Sequence, residues 1–274
     1  MAQTVPVSLL VISLTVLLFD HAVARPIRML DLDVSMRHAG KIVTLSSKRI
    51  PGGIYYTIWS KYKDHYTIGS VHDAGEMLVE RDANATSRQV ITELREDGTK
   101  YVVVSTTKNT QCAKGKTVKT KIIEEFIKRP TYFRYVKIFR VPLDVDLLTQ
   151  ESNHYINVEL VVDWGKYKRG VANGTAPMDR PENLETLPMK FTVQEDMQDD
   201  AVIGRVTFGD YVIDDETEGL IERSVVWKKG IEDPRITVIS KYAYGVEKIV
   251  NYKLGNEGFN VYTSEEKSID LSRA

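Results

Sequence analysis

The sequence predicts a mainly β protein with curved antiparallel sheets, arranged as a half-barrel or as a sandwich-like fold. Most of the chain consists of short runs of aromatic and β-branched residues, which turn residues separate about every ten positions. A single cysteine, Cys112, offers no internal disulfide, so extensive packed sheets have to hold the fold together. The chain also repeats part of its own pattern, which predicts a tandem duplication.

Residues 1–24 have the organisation of a secretory signal peptide, although the leader contains no Lys or Arg. Residues 7–19 are almost wholly apolar, and the small residues Ala22 and Ala24 stand where signal peptidase would read before a cut at Arg25. A run of about 13 apolar residues is short for a bilayer span, so a retained anchor is the weaker alternative. We therefore expect a secreted, extracellular protein with no transmembrane segment after cleavage.

Composition and charge limit the classes of partner. The chain of 274 residues has a net charge of -1, and loss of Asp20 with the leader brings the mature charge to zero. Neutrality argues against nucleic acid as a partner. With 42% hydrophobic residues the mature chain can bury a substantial core. We predict a first β domain over 25–148 and a second, possibly repeated, over 149–274.

The predicted strands share aromatic and β-branched enrichment and end at turn residues. They are 53–61, 77–80, 89–94, 100–105, 132–141, 155–163, 189–194, 202–207, 223–228, 235–240, 248–253 and 258–262. Asp97-Gly98 is a hairpin signal, because glycine supplies the positive φ of a tight turn. The run 255–258, Gly-Asn-Glu-Gly, predicts another turn.

Residues 116–128 depart from the strand pattern. Val118, Ile122 and Phe126 fall four apart, Ile123 and Ile127 widen the apolar stripe, and Pro130 follows. This spacing predicts one amphipathic helix of about three turns that covers the adjacent sheet.

The repeat appears at a shift of 135 residues. Without a gap, Ile68-Gly69 falls on Ile203-Gly204, Arg88 falls on Arg223, and residues 103–105 fall on 238–240. The alternative explanation is that any two antiparallel segments share alternating apolar positions.

Residues 53–112 contain an aromatic first strand, the run Met77-Leu78-Val79-Glu80, an aspartyl-glycine hairpin and a lone cysteine before the predicted helix. In this order of features the segment resembles LolA-like and ependymin-related lipid-binding proteins. The resemblance implies an open half-barrel whose concave face holds acyl chains, with the helix as a lid. Ependymin-like proteins carry several paired cysteines, and this chain departs from them in having one.

The leading interpretation is a non-catalytic binding protein for an apolar or amphipathic, lipid-like ligand. The ligand would lie on the concave sheet, against side chains that alternatively make only a dry core. The expected contact residues are Tyr56, Ile58, Trp59, Ile122, Phe126 and Ile127. The second interpretation is an extracellular structural or protein-interaction module without a small ligand.

A basic patch is predicted beside this site. Between residues 113 and 141 nine basic residues face only two acidic ones. Such a patch can attract anionic lipid, sulfated glycan or an acidic partner, or it can be a solvated face that discourages aggregation. The patch residues are Lys114, Lys116, Lys119, Lys121, Arg134, Lys137 and Arg140.

Other sequence features bear on modification and chemistry. Asn84 and Asn173 stand in N-glycosylation sequons, and Cys112 is either a free thiol or an interchain disulfide. The sequence contains no nucleophile elbow, phosphate loop or zinc motif, so we expect no catalytic residues, no metal site and no cofactor.

Overall fold

The computed structural model describes residues 27–38, 40–111, 116–161, 188–228 and 232–272. Strands dominate these residues, which confirms the predicted β class. They form two three-stranded and two six-stranded sheets. The six-stranded sheets are antiparallel throughout, whereas each three-stranded sheet contains one parallel pair.

The first half of the molecule comprises nine strands, in which β1, β4 and β5 form the small sheet and the other six form the large one. A 3-10 turn, Ser60–Tyr62, connects β3 to β4. The strands are β1 Arg28–Asp33, β2 Ile42–Ser46, β3 Ile54–Ile58, β4 Tyr66–Asp73, β5 Glu76–Val79, β6 Ala85–Leu94, β7 Lys100–Gln111, β8 Thr117–Lys128 and β9 Val136–Lys137.

The second half repeats this order of strands and pairings, with β10, β13 and β14 in the small sheet and the other six strands in the large one. Among its described residues the 3-10 turns are Leu147–Thr149, after β10, and Glu195–Met197, between β12 and β13. The strands are β10 Val141–Asp146, β11 Ile156–Leu160, β12 Met189–Val193, β13 Ala201–Phe208, β14 Tyr211–Asp214, β15 Leu220–Lys228, β16 Arg235–Tyr242, β17 Val246–Gly255 and β18 Gly258–Ser268.

This match in topology supports the tandem duplication, and strand pairing refines its alignment. Val90 lies opposite Val104, and Val225 lies opposite Val238, so Val104 corresponds to Val238 and not to Ile239. The gap-free alignment of 103–105 with 238–240 is therefore wrong by one residue. Since β10 pairs with β13, the second set of pairings begins at Val141. A division into separate domains at 148 and 149 stays a prediction.

The main core of each half lies between its small and its large sheet. In the first half Leu32 and Ile68 of the small sheet pack against Tyr56, Val90 and Val104 of the large sheet. The corresponding core of the second half joins residues such as Ile203 and Val206 to Phe191, Val225 and Val238. Two sheets that pack face to face in this way correspond to the sandwich-like alternative.

The other face of the first large sheet is also covered. Tyr55, Ile91, Tyr101, Val103 and Ile123 form a third cluster on that face. Two residues that follow β18, Ile269 and Leu271, complete the cluster and are themselves buried. The C-terminal end of the second half thus packs on the back of the first.

The helix predicted over 116–128 is wrong, because this segment forms β8. It pairs with β7 from Gln111 and Thr117 to Lys100 and Lys128. A spacing of four residues is even, so Phe126 and Ile122 share one face of a strand as well as one face of a helix. Ile123 faces the opposite, third cluster. β-Branched side chains suit such a strand with buried positions on both faces.

The two predicted hairpin turns are confirmed. Asp97-Gly98 connects β6 to β7, with φ of 81° at Gly98, and Asp97 accepts a hydrogen bond from the Thr99 amide at 2.8 Å. Gly255 pairs with Gly258 at the turn between β17 and β18. The strand predicted over 132–141 reduces to β9, the two residues Val136–Lys137.

Candidate functional site

A cleft of about 940 Å³ lies between the two halves of the described chain. One wall is the back of the first large sheet together with the β2–β3 and β6–β7 connections. The other wall comes from β15 and from the 3-10 turn Glu195–Met197 with the start of β13.

Both halves contribute apolar and aromatic side chains to the floor of the cleft, although its lining as a whole is more polar than apolar. The first half contributes Tyr101 and Val103 from β7. The second half contributes Val202 from β13 and Ile221 from β15.

A buried network closes one side of this floor. The Tyr101 hydroxyl donates a hydrogen bond to the Glu125 carboxylate, and the second oxygen of Glu125 pairs with the Arg140 guanidinium. Arg140 also donates from Nε to the Gln198 carbonyl at 2.5 Å, which ties the first half to the second. Side chains of Glu125 and Arg140 are only 11% and 10% exposed, so the pair is largely removed from water.

This network fixes protonation states. Burial, and next the charge of Glu125, hold the pKa of Tyr101 well above its ordinary value. Burial alone lowers the pKa of Arg140, but Glu125 outweighs it and the net pKa is raised. At neutral pH the phenol therefore stays protonated and the guanidinium stays charged.

A second ion pair crosses the cleft. Arg95 from the β6–β7 hairpin makes a two-pronged contact with Asp199, in which Nη2 and Oδ1 lie 3.1 Å apart. The hydrogen bonds to Asp199 raise the pKa of Arg95. The Arg95 guanidinium also lies 4.9 Å from the ring centre of Tyr101, so it joins the floor to the rim.

The rim carries further charged side chains from both halves. Glu96, Glu195 and Asp196 are exposed, and Arg49 is partly buried. Across the described part of the chain these four form no ion pair. The cleft thus combines a few apolar side chains on its floor, internally paired charges and a solvated rim.

The predicted ligand contacts do not line this cleft. The structure brings Tyr56, Ile58 and Phe126 together inside the first core, where Tyr56 donates its hydroxyl to the Val34 carbonyl at 3.2 Å. Ile127 is buried as well. Trp59 is 48% exposed on the surface, and Ile122 borders a smaller pocket of about 300 Å³ near Tyr244.

The predicted basic patch is partly neutralised by acidic residues from the strand that carries it. Lys137 pairs with Glu124 at 2.7 Å, and Arg140 pairs with Glu125. Lys121 donates to the Ile269 carbonyl at 2.5 Å. Three further members are exposed: Lys116, Lys119 and Arg134. Lys114 lies outside the described residues.

Other predicted positions divide between exposed and undescribed parts of the chain. Asn84 is exposed in the turn before β6. Asn173 and Cys112 lie outside the described residues, as does the leader 1–24. Within the part that the structure covers, no group of three or more His, Cys, Asp or Glu side chains is arranged to hold a metal ion. None of the helices described has the length and apolar character to cross a membrane.

Sequence reasoning missed the cleft residues Arg95, Glu125 and Asp199 as a group. Arg95 and Asp199 lie 104 positions apart, and no local motif links them. The shift of 135 does place Asp64 on Asp199, but only the packing of the halves brings Asp199 to Arg95. Comparison of the chain with family models, with curated proteins and with solved structures finds no match.

Proposed function

We propose that this is a secreted, non-catalytic binding protein that holds an amphipathic, lipid-like ligand in the cleft between its halves. The observation that carries the proposal is the cleft itself. Its volume of about 940 Å³ falls within the range of about 300–1,000 Å³ that is usual for small-molecule sites.

The distribution of charge favours an amphipathic ligand over a fully ionic one. The charged groups near the floor are already paired, Arg95 with Asp199 and Arg140 with Glu125. The partly buried apolar side chains Ile50 and Ile221 are left to receive a hydrocarbon or aromatic part. The exposed rim, with Glu96 and Glu195, can solvate a polar head.

The same network supports a binding role over a catalytic one. A general base must be free to accept a proton, yet both oxygens of Glu125 are engaged and the raised pKa of Tyr101 keeps its phenol neutral. The leader-like residues 1–24 support secretion, and the exposure of Asn84 leaves its sequon accessible to a glycan.

Native mass spectrometry of the secreted, deglycosylated protein tests this proposal. We expect an adduct of lipid-like mass that organic extraction removes. Ser224→Trp fills the cleft from β15 and should abolish the adduct. Ser264→Trp, the same change at an exposed position of β18, should retain it. A protein without adduct after secretion, or equal loss in both variants, would contradict the proposal.

A second candidate is an extracellular protein-interaction module. Phe133 is 97% exposed and Phe139 is 78% exposed in the segment that connects the halves. Exposed aromatic side chains of this kind are typical of docking surfaces. A ligand-free spectrum with a doubled mass would favour this candidate, and halving of that mass on reduction would indicate Cys112 as the tether.

A further inference from the structure

A cluster of aromatic and basic side chains surrounds the 3-10 turn between β3 and β4. We call it the Trp59 surface, and none of its members lines the cleft. Its members are Trp59, Tyr62, Tyr66, Arg28, Lys41 and Lys61.

The cations of this surface are held against the rings. The Lys41 ammonium lies 3.8 Å from the ring centre of Tyr66 and 5.9 Å from that of Tyr62. The Lys61 ammonium lies 4.2 Å from Trp59 and 5.0 Å from Tyr62. These contacts restrict side chains that are otherwise flexible, so less conformational entropy remains to be lost on binding.

The surface carries uncompensated positive charge. In the described part of the chain, no carboxylate forms an ion pair with Arg28, Lys41 or Lys61. Hydrogen bonds, first from Lys41 and then from Arg28, lower the pKa of the Tyr66 phenol, as expected beside two cations.

The second half shows that the fold does not require these residues. Its corresponding 3-10 turn, Glu195–Met197, has the same length and the same place between strands. At a shift of 135, the positions of Trp59, Lys61, Tyr62 and Tyr66 hold Gln194, Asp196, Met197 and Ala201. The aromatic and basic side chains of the first turn are therefore additions to a shared backbone.

We propose that the Trp59 surface binds a sulfated polysaccharide. The ring-held ammonium groups and the exposed Arg28 guanidinium match discrete sulfate groups, and the exposed Trp59 with the partly exposed Tyr62 and Tyr66 offers contact area to sugar rings. The surface is built on a three-residue 3-10 turn and adjoining strand ends, and not on an amphipathic helix that would lie in a membrane interface, which favours a polysaccharide over a lipid surface. This site is separate from the proposed cleft and does not depend on it.

Binding of a heparin oligosaccharide of defined length to the full secreted chain, measured by calorimetry at low and at physiological salt, tests this proposal. We expect binding that weakens with salt, since screening reduces attraction between exposed charges. The double change Lys41→Ala with Lys61→Ala should weaken binding about tenfold or more, because two charge-assisted contacts are lost. Trp59→Ala should weaken it without changing the net charge.

Lys63→Ala is the matched control. Lys63 is exposed two positions from Lys61 on the same turn, but it makes no ring contact or ion pair within the described residues. Lys61→Ala and Lys63→Ala remove the same charge, so general attraction predicts equal losses and the proposed surface predicts a loss at Lys61 alone. Equal losses, or binding to vesicles of anionic phospholipid but not to heparin, would overturn the proposal.

Discussion

Arg88 in the first half and Arg223 in the second lie at corresponding positions of β6 and β15, and each is buried between its two sheets. Arg88 donates from Nε to Thr106 at 2.9 Å and from Nη1 to the carbonyls of Gly69 and Glu80. Each large sheet is thereby linked to the small sheet that packs on it.

Arg223 repeats this arrangement with one difference. It donates to Ser240 at 2.9 Å and to the carbonyls of Gly204 and Glu216. It also pairs with Asp214 at 2.9 Å, and the two side chains are 0% and 8% exposed. Val79 stands at the position of Asp214 in the first half, and among the described residues no carboxylate forms an ion pair with Arg88.

The comparison shows that the first half buries its arginine with hydrogen bonds to one hydroxyl and two carbonyls, with no carboxylate in direct contact among the described residues. Burial lowers the pKa of Arg88, although guanidinium stays charged at neutral pH. In the second half the Asp214 carboxylate neutralises Arg223, and the burial of Asp214 in turn depends on that arginine.

The largest expected effect separates these two arginines. Arg223→Met leaves the buried Asp214 charge without its partner and should lower the free energy of unfolding by about 3–5 kcal/mol. Arg88→Met leaves neutral acceptors unpaired and should cost about 1–3 kcal/mol. Urea unfolding of both variants measures the difference.

Asp214→Asn provides the control for this prediction. Introduced together with Arg223→Met, it removes the unpaired carboxylate charge. Its amide oxygen can still accept a hydrogen bond from the Tyr252 hydroxyl, which lies 2.9 Å from the Asp214 carboxylate. The double variant should be more stable than Arg223→Met alone. Equal costs for the two arginines would show that the charge of Asp214 is not what distinguishes the halves.

A smaller difference is expected at the glycines whose carbonyls these arginines contact. A Cβ at Gly204 would lie 2.6 Å from the Pro142 Cβ, and proline cannot rotate away. A Cβ at Gly69 would lie 2.7 Å from the Asp31 Oδ1, the end of a side chain that can move. Overpacking should therefore cost about 2 kcal/mol for Gly204→Ala and about 1 kcal/mol for Gly69→Ala.

Thermal unfolding of the two alanine variants measures this order. Gly75→Ala is unsuitable as a control because φ is positive there, at 83°. Gly69→Ala serves as the reference for Gly204→Ala. A larger loss of stability for Gly69→Ala would mean that hydrogen bonds restrain the Asp31 side chain as firmly as the ring restrains Pro142.

The smallest expected effect concerns the pH dependence of stability. Hydrogen bonds from Arg81 lower the pKa of Asp31, and the Ser70 amide donates to the same carboxylate at 3.0 Å. A carboxyl with a lowered folded-state pKa stabilises the protein above its unfolded pKa, near 4, and that stability is lost as the pH falls. Asp31→Asn should therefore flatten the decline of stability between about pH 5 and pH 2.

The expected change is modest, under about 1 kcal/mol, because the Asp31 side chain is 43% exposed and solvent screens its charge. Asp144, the corresponding and exposed residue of β10, is the matched control. Asp144→Asn should change the unfolding curves across this pH range less than Asp31→Asn does, because within the described residues only Asp31 of the two pairs with an arginine. Equal flattening by both changes would remove this difference between the halves.

Much of the fold was predictable from local pattern. The hairpins at Asp97-Gly98 and at 255–258 follow from turn chemistry that acts within four residues. The repeat was visible where strands align without a gap. The ungapped comparison did not align β1 with β10. Their corresponding residues Asp33 and Asp146 are 113 positions apart, whereas the comparison used a shift of 135.

These two aspartates make the same kind of contact in each half, and the ungapped comparison could not reveal it. Asp33 accepts from the Ala74 amide at 3.1 Å, and Asp146 accepts from the Gly209 amide at 3.0 Å. Both thereby hold the turn that follows the central strand of a small sheet. The two runs Leu30-Asp31-Leu32-Asp33 and Leu143-Asp144-Val145-Asp146 are similar in sequence. The connections that follow them differ in length, so a single shift does not align both these runs and the later strands.

The β class, the hairpin turns and the expectation of a repeat follow from the sequence alone, because alternation and turn residues act over short distances. That residues 116–128 form a strand follows from the packing of the whole chain, since their spacing suits both periods and β7 supplies the pairing partner. The same packing places the cleft. Contacts such as Arg95 with Asp199 depend on how the two halves pack, which no local pattern encodes.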